Sequence, residues 1–167
     1  SKFLSERLLN PIESLSFPSF DGTDIHGMLI KPHNFNADQK YPLIIRIHGG
    51  PVSQYDQQFY LQWQIFAGNE YLVMAVNPRG SSGRGEDFQK TIFADWGNVD
   101  AKDIIAAVDF ALTFDFVDED KLGIGGWSYG SMLKNYVISM DQRFKAATSG
   151  AGISNILSGF GNDQYIR

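Results

Sequence analysis

The chain has 167 residues, 43% of them hydrophobic, and carries 14 basic against 19 acidic side chains, a net charge of −5. This length and apolar content fit one globular domain built on one core, and an acidic balance with no basic run excludes a surface that tracks nucleic acid. Cysteine is absent, which excludes disulfides and thiolate metal sites, and no apolar run approaches the roughly 20 residues that span a bilayer.

Residues 1–11 read as an amphipathic lead-in to a single partial domain over 1–167. Ser1-Lys2-Phe3-Leu4 does not open a signal peptide, so a cytoplasmic location is expected. The first residue is not Met, which points to processing or to excision from something longer. Ile12 to Phe20 and Asp24 to Lys31 are β-prone runs around the turn signal Asp21-Gly22-Thr23 and predict an antiparallel hairpin. After the polar loop Pro32 to Lys40, Tyr41 to Ile47 is an apolar run broken only by Arg46, as in a central strand covered on both faces. It ends in His48-Gly49-Gly50-Pro51. Gln57 to Phe66 carries Phe59, Trp63 and Phe66 at helical spacing and Gly68-Asn69 closes it, a helix whose aromatic stripe belongs to the core. Tyr71 to Val76 is the next buried strand.

Asn77 to Gly85 is a glycine-rich loop in which Arg79 and Arg84 either bind a substrate carboxylate or brace the loop. It has neither a G-K-[ST] end nor G-x-G-x-x-G spacing, so phosphate-loop and dinucleotide readings fail. Asp95-Trp96-Gly97-Asn98 precedes a helix from Val99 to Thr113, with Asp100 and Asp103 as charges suited to its N-terminal turn. Asp115 to Asp120 reads as a solvated acidic turn.

From Lys121 the pattern changes within a few residues from a short apolar strand to a helix with Met132, Leu133, Tyr136 and Val137 on one face, and Gly126-Trp127-Ser128-Tyr129-Gly130 lies between them. G-x-S-x-G in that context reads as a nucleophile elbow; the alternative is an ordinary glycine-rich strand-to-helix loop. The sharp turn holds Ser128 strained and exposed, Gly126 and Gly130 avoid clashes where strand and helix converge, and the Tyr129 N–H at the helix start is an oxyanion donor. Asp141-Gln142-Arg143 is a turn, Phe144 to Thr148 a further strand, and Ser149 to Arg167 runs out in Gly, Ser and Asn. Strands alternating with helices after an initial hairpin specify a mostly parallel α/β sheet.

The glycine pair after the central strand exposes backbone N–H groups to a carbonyl oxygen, with Gly50 N–H as the candidate second oxyanion donor; the alternative is a tight strand exit stopped by Pro51. His48 precedes the elbow, against the Ser, acid, His order of α/β hydrolases, so its expected role is structural. None of His26, His33 and His48 is expected to be the general base.

Four motifs in register, His48-Gly49-Gly50-Pro51, Asn77-x-Arg79-Gly80-Ser81-x-Gly83-x-Gly85, Trp96-Gly97 and Gly125-Gly126-Trp127-Ser128-Tyr129-Gly130, closely resemble the catalytic domain of the prolyl oligopeptidase family, its dipeptidyl and acylaminoacyl peptidase branches above all. The resemblance runs from about Ile12 onward. It implies an α/β-hydrolase fold, Ser128 as nucleophile, Tyr129 N–H and the Gly50 region as oxyanion donors, no cofactor, and short peptides or small esters as substrates. Ser131 stands where the family often has Gly, Lys134 where it is polar or small, and Arg84 where an aromatic residue is common. The family's catalytic Asp and His follow two further strands, and its β-propeller has no counterpart here, so the domain is expected to be truncated before its last strands. Two functions are open: a peptidase or esterase whose acid and base come from another segment or chain, and a non-catalytic module for binding or assembly. Truncation is also expected to leave Phe144 to Thr148 as an open edge beside Ile153, Ile156, Leu157 and Phe160, and hence to drive homo-oligomerisation or association with the rest of the domain.

Overall fold

The computed structural model describes residues 9–155 and 157. Its elements are β1 (Ile12–Pro18), β2 (Asp24–Ile30), β3 (Tyr41–Ile47), α1 (Leu61–Gly68), β4 (Leu72–Asn77), α2 (Glu86–Lys90), α3 (Val99–Ala111), β5 (Val117–Trp127), α4 (Tyr129–Met140) and β6 (Phe144–Gly150). The strands form one sheet in the order β1-β2-β4-β3-β5-β6. β1 and β2 make the expected antiparallel hairpin, β2 joins β4 antiparallel, and the pairs β4–β3, β3–β5 and β5–β6 are parallel.

The apolar runs at β3 and β4 occupy the middle of the sheet because both of its faces there are covered. On one face α3 and α4 pack Ile104, Val108, Leu133 and Val137 against Leu43, Ile45, Met74 and Ile124. On the other, α1 sets Trp63 and Ala67 against Ile30, Val73 and Ala75. Most of the expected lead-in lies outside the described residues; Asn10, at its end, donates to Lys31 O at 2.8 Å and exchanges hydrogen bonds with the Gln64 side chain.

Four readings of the sequence are corrected. The helix predicted from Gln57 starts at Leu61, and Phe59 is 43% exposed rather than core. Its place is taken by Tyr60, whose ring stacks on Trp63 at 3.9 Å while Tyr55 meets both edge-on. Glu86–Lys90 is a short helix where none was expected. The acidic stretch before the elbow is strand from Val117 onward, because Val117 pairs with Tyr41 across a register irregularity, while the charges of Asp115, Glu119 and Asp120 are solvated as expected. Asp103 does not face the helix N-terminus: it is fully buried beneath Arg79.

Candidate active site

Ser128 joins β5 to α4 with φ +56° and ψ −123°. For a residue with a side chain such a backbone costs of order 1–3 kcal/mol and persists only where its surroundings fix it. The Ser128 amide donates to Gly150 O at 2.8 Å, and its carbonyl accepts from the amides of Ser131 and Met132 at 2.9 and 3.2 Å. Both flanking glycines are required by close backbone approach. A Cβ on Gly126 would lie 2.3 Å from the Gly130 carbonyl, and one on Gly130 would lie 2.4 Å from Ile47 O. Ser131, buried, adds a clamp of its own: its Oγ lies 2.7 Å from Gly126 O and 2.8 Å from both the amide and the carbonyl of Gly150. The Ser128 side chain faces solvent, and its Oγ has no hydrogen-bond partner among the described residues.

Because β3 and β5 are parallel neighbours with Ile47 opposite Gly126, the loop leaving β3 passes beside the elbow. A Cβ on Gly49 would sit 3.4 Å from Ser128 Cβ and 4.0 Å from Ser128 Oγ. The absence of a side chain there keeps the space over the serine open. Gly50 follows at φ +128°, where a Cβ would lie 2.7 Å from Val52 N. The Tyr129 N–H, first of α4, has no acceptor within the helix and stands at its positive end.

His48 is buried and makes no hydrogen bond to Ser128. Its Nδ1 is 2.7 Å from Gly49 O, which can only accept, so Nδ1 carries the proton; its Nε2 is 2.9 Å from Ser81 Oγ. Burial holds its pKa below the usual histidine range, so the ring is a neutral brace between the loops leaving β3 and β4. The Tyr55 ring meets it edge-on at 5.3 Å. His26 pairs with Asp24 at 2.9 Å on the hairpin, and His33 lies in the connection between β2 and β3. Neither hydrogen-bonds Ser128.

The two loop arginines are braces. Arg79 grips Asp103 through Nε and Nη2 at 3.0 and 2.6 Å and reaches Asp21 with Nη1 at 2.5 Å, tying the hairpin turn to α3. Arg84 donates to the Asp24 carbonyl. Asp100 is likewise more than a helix-end charge. It is fully buried, its Oδ1 accepts from the amides of Gly97 and Ala101 at 2.9 and 3.0 Å, and its Oδ2 accepts from the Tyr129 hydroxyl. Burial pushes its carboxyl pKa up against these donors, and pushes the Tyr129 phenol far above the usual tyrosine range. A cleft of about 510 Å³ between the hairpin and the loops after β3 and β4 includes Ser81 and Arg84 but not Ser128. Among the described residues no group of three His, Asp or Glu side chains stands close enough to hold a metal ion, and no helix is long and apolar enough to cross a membrane.

The profile of the prolyl oligopeptidase family matches residues 57–165. An uncharacterized peptidase of Bacillus subtilis, YuxL, is 36% identical over 158 residues, 94% of this chain and 24% of its own length. Dipeptidyl-peptidase 5 of Schizosaccharomyces pombe is 32% identical over 159 residues, 92% of this chain and 23% of its own. The structure of Pyrococcus horikoshii acylaminoacyl peptidase superposes with a TM-score of 0.88 at 31% identity, over 95% of this chain and 26% of that one. The chain thus spans about a quarter of the length of these relatives.

Proposed function

Since the chain belongs to the prolyl oligopeptidase family and has an α/β-hydrolase fold, we propose that it is the nucleophile-bearing part of a serine hydrolase that cleaves peptide or ester bonds through an acyl-enzyme on Ser128. The observation that carries this is the exposed Ser128 hydroxyl, held at φ +56° beside the open Gly49-Gly50 backbone. Ser128 Oγ attacks the carbonyl carbon and its proton passes to a general base. The oxyanion is held by the N–H groups of Tyr129 and Gly50; the C–N or C–O bond then breaks, the leaving group takes the proton, and water hydrolyses the ester on Ser128. None of His26, His33 and His48 hydrogen-bonds this hydroxyl, so the acid and base come from outside these residues. Relatives called dipeptidyl-peptidase and acylaminoacyl peptidase support short peptides as the substrate class.

The competing reading, an inactive module for binding or assembly, draws on the Ser128 Oγ having no base beside it among the described residues. Either reading includes association through β6, as a homo-oligomer or with the remainder of the domain: β6 is the outer strand of the described sheet and most of its residues are exposed. Residence in the cytoplasm is part of the proposal and is tested by cell fractionation. Turnover of a p-nitrophenyl ester that disappears in Ser128→Ala is the expected result for the enzyme, and turnover undiminished by that change would refute the assignment.

A further inference from the structure

We propose that Asp100 is a positioning residue for the oxyanion-binding amide of Tyr129, acting on it through the Tyr129 hydroxyl. The inference rests on Ser128 being the nucleophile. Tyr129 is the residue that follows Ser128, so the amide aimed at the oxyanion and the ring that ends on Asp100 belong to one residue. Its ring is buried, with Trp96 edge-on at 5.5 Å and the Asp100 carboxylate at its tip. Anchored at both places, it fixes the rotation of the first residue of α4 about the strained turn.

The anchor is itself held. Asp100 binds the amides of Gly97 and Ala101 through Oδ1, which leaves Oδ2 for the tyrosine. Gly97, at φ +88°, lies under the Tyr136 ring so closely that a Cβ would come within 2.4 Å of it. Tyr129 and Tyr136 are seven residues apart and share a face of α4, and both grip the turn from Trp96 to Asp100. On the other side, the Ser128 amide and the Ser131 hydroxyl are tied to Gly150. The elbow is therefore clamped between the start of α3 and the end of β6. Oxyanion stabilisation depends on donors already in place, and removal of one donor costs about 10²–10³ in rate. Loosening a donor without removing it is expected to cost less, roughly tenfold.

The test compares Tyr129→Phe, Asp100→Asn and the double variant with the wild type, using a p-nitrophenyl ester and urea titration to identify conditions in which all four are folded. Asp100→Asn keeps the Oδ1 acceptor for the Gly97 and Ala101 amides and replaces the charged acceptor at the phenol by an amide N–H, with least harm to α3. The expected result is a roughly tenfold fall in kcat at unchanged KM for each single variant. The double variant is expected to be no slower than the slower single, because both changes act on one contact. Amide exchange across Trp127 to Leu133 is expected to quicken in Tyr129→Phe. Wild-type kcat in Tyr129→Phe, a fall in KM-dependent binding alone, full additivity in the double variant, or unchanged amide exchange would each overturn the inference while leaving Ser128 as nucleophile. A wild-type protein that forms no acyl-enzyme would overturn both.

Discussion

Gly130 and His48 are in backbone contact: a Cβ on Gly130 would lie 2.5 Å from His48 O, as well as 2.4 Å from Ile47 O. The first turn of α4 thus rests directly on the exit of β3, and that contact brings the glycine loop alongside Ser128. Gly130→Ala is expected to cost at least about 2 kcal/mol, because two backbone carbonyls cannot step aside as a side chain can. A fall in the urea midpoint at constant m would show it. Gly68→Ala, at a helix end with nothing within 4 Å of the new methyl, is the control and is expected to leave stability unchanged or slightly raised.

Most of the elbow was legible in the sequence because its cause is local: two glycines, a serine, and a switch from strand to helix within ten residues. The hairpin was legible for the same reason, its turn being spelled by Asp21-Gly22-Thr23. The roles of Asp100 and Asp103 were not, since their partners Tyr129 and Arg79 lie 29 and 24 residues away, and a carboxylate near a helix start looks the same whether it faces water or the core. Glu86–Lys90 was missed because five residues starting after a glycine at φ +90° show no apolar periodicity. Phe59 was misplaced because helical spacing alone does not say where a helix begins.

Arg79 and Asp103 form a buried two-point pair, with the Arg79 side chain 6% exposed and Asp103 fully covered. Replacing Asp103 by Ala leaves a desolvated guanidinium whose remaining carboxylate is Asp21. The expected loss is about 3–5 kcal/mol, read by urea denaturation. Arg79→Ala/Asp103→Ala is expected to be less destabilised than the sum of the two single changes. Full additivity would show that the two do not act as a pair.

Asp21 gives this cluster a pH dependence. The Arg79 guanidinium beside it lowers its pKa from 3.8 to about 2. A carboxylate with a depressed folded-state pKa adds stability that is present above its unfolded value and is lost as pH falls toward the folded one. The stability difference between wild type and Asp21→Asn is therefore expected to be constant above about pH 5 and to close between 3.8 and about 2. Asp21 is partly exposed, so screening by solvent and salt keeps the effect small. A difference that stays constant down to pH 2 would place its stabilisation elsewhere.

The exposed outer edge of β6, Phe144–Gly150, is a template for strand pairing. Ile153 beside it is half-buried and Leu157 is 82% exposed, while Ile156 and Phe160 lie outside the described residues. Light scattering coupled to size exclusion at micromolar concentration is expected to give a dimer or larger species. A monodisperse monomer that unfolds cooperatively would mean that the edge is protected.

The nucleophile is tested most directly by treating the protein with a fluorophosphonate and measuring its intact mass, then locating the adduct by peptide mapping. One adduct per chain is expected, on the tryptic peptide from Leu122 to Lys134 at Ser128, and none in Ser128→Ala. A folded protein that takes up no label, or takes it up on another residue, would contradict the account.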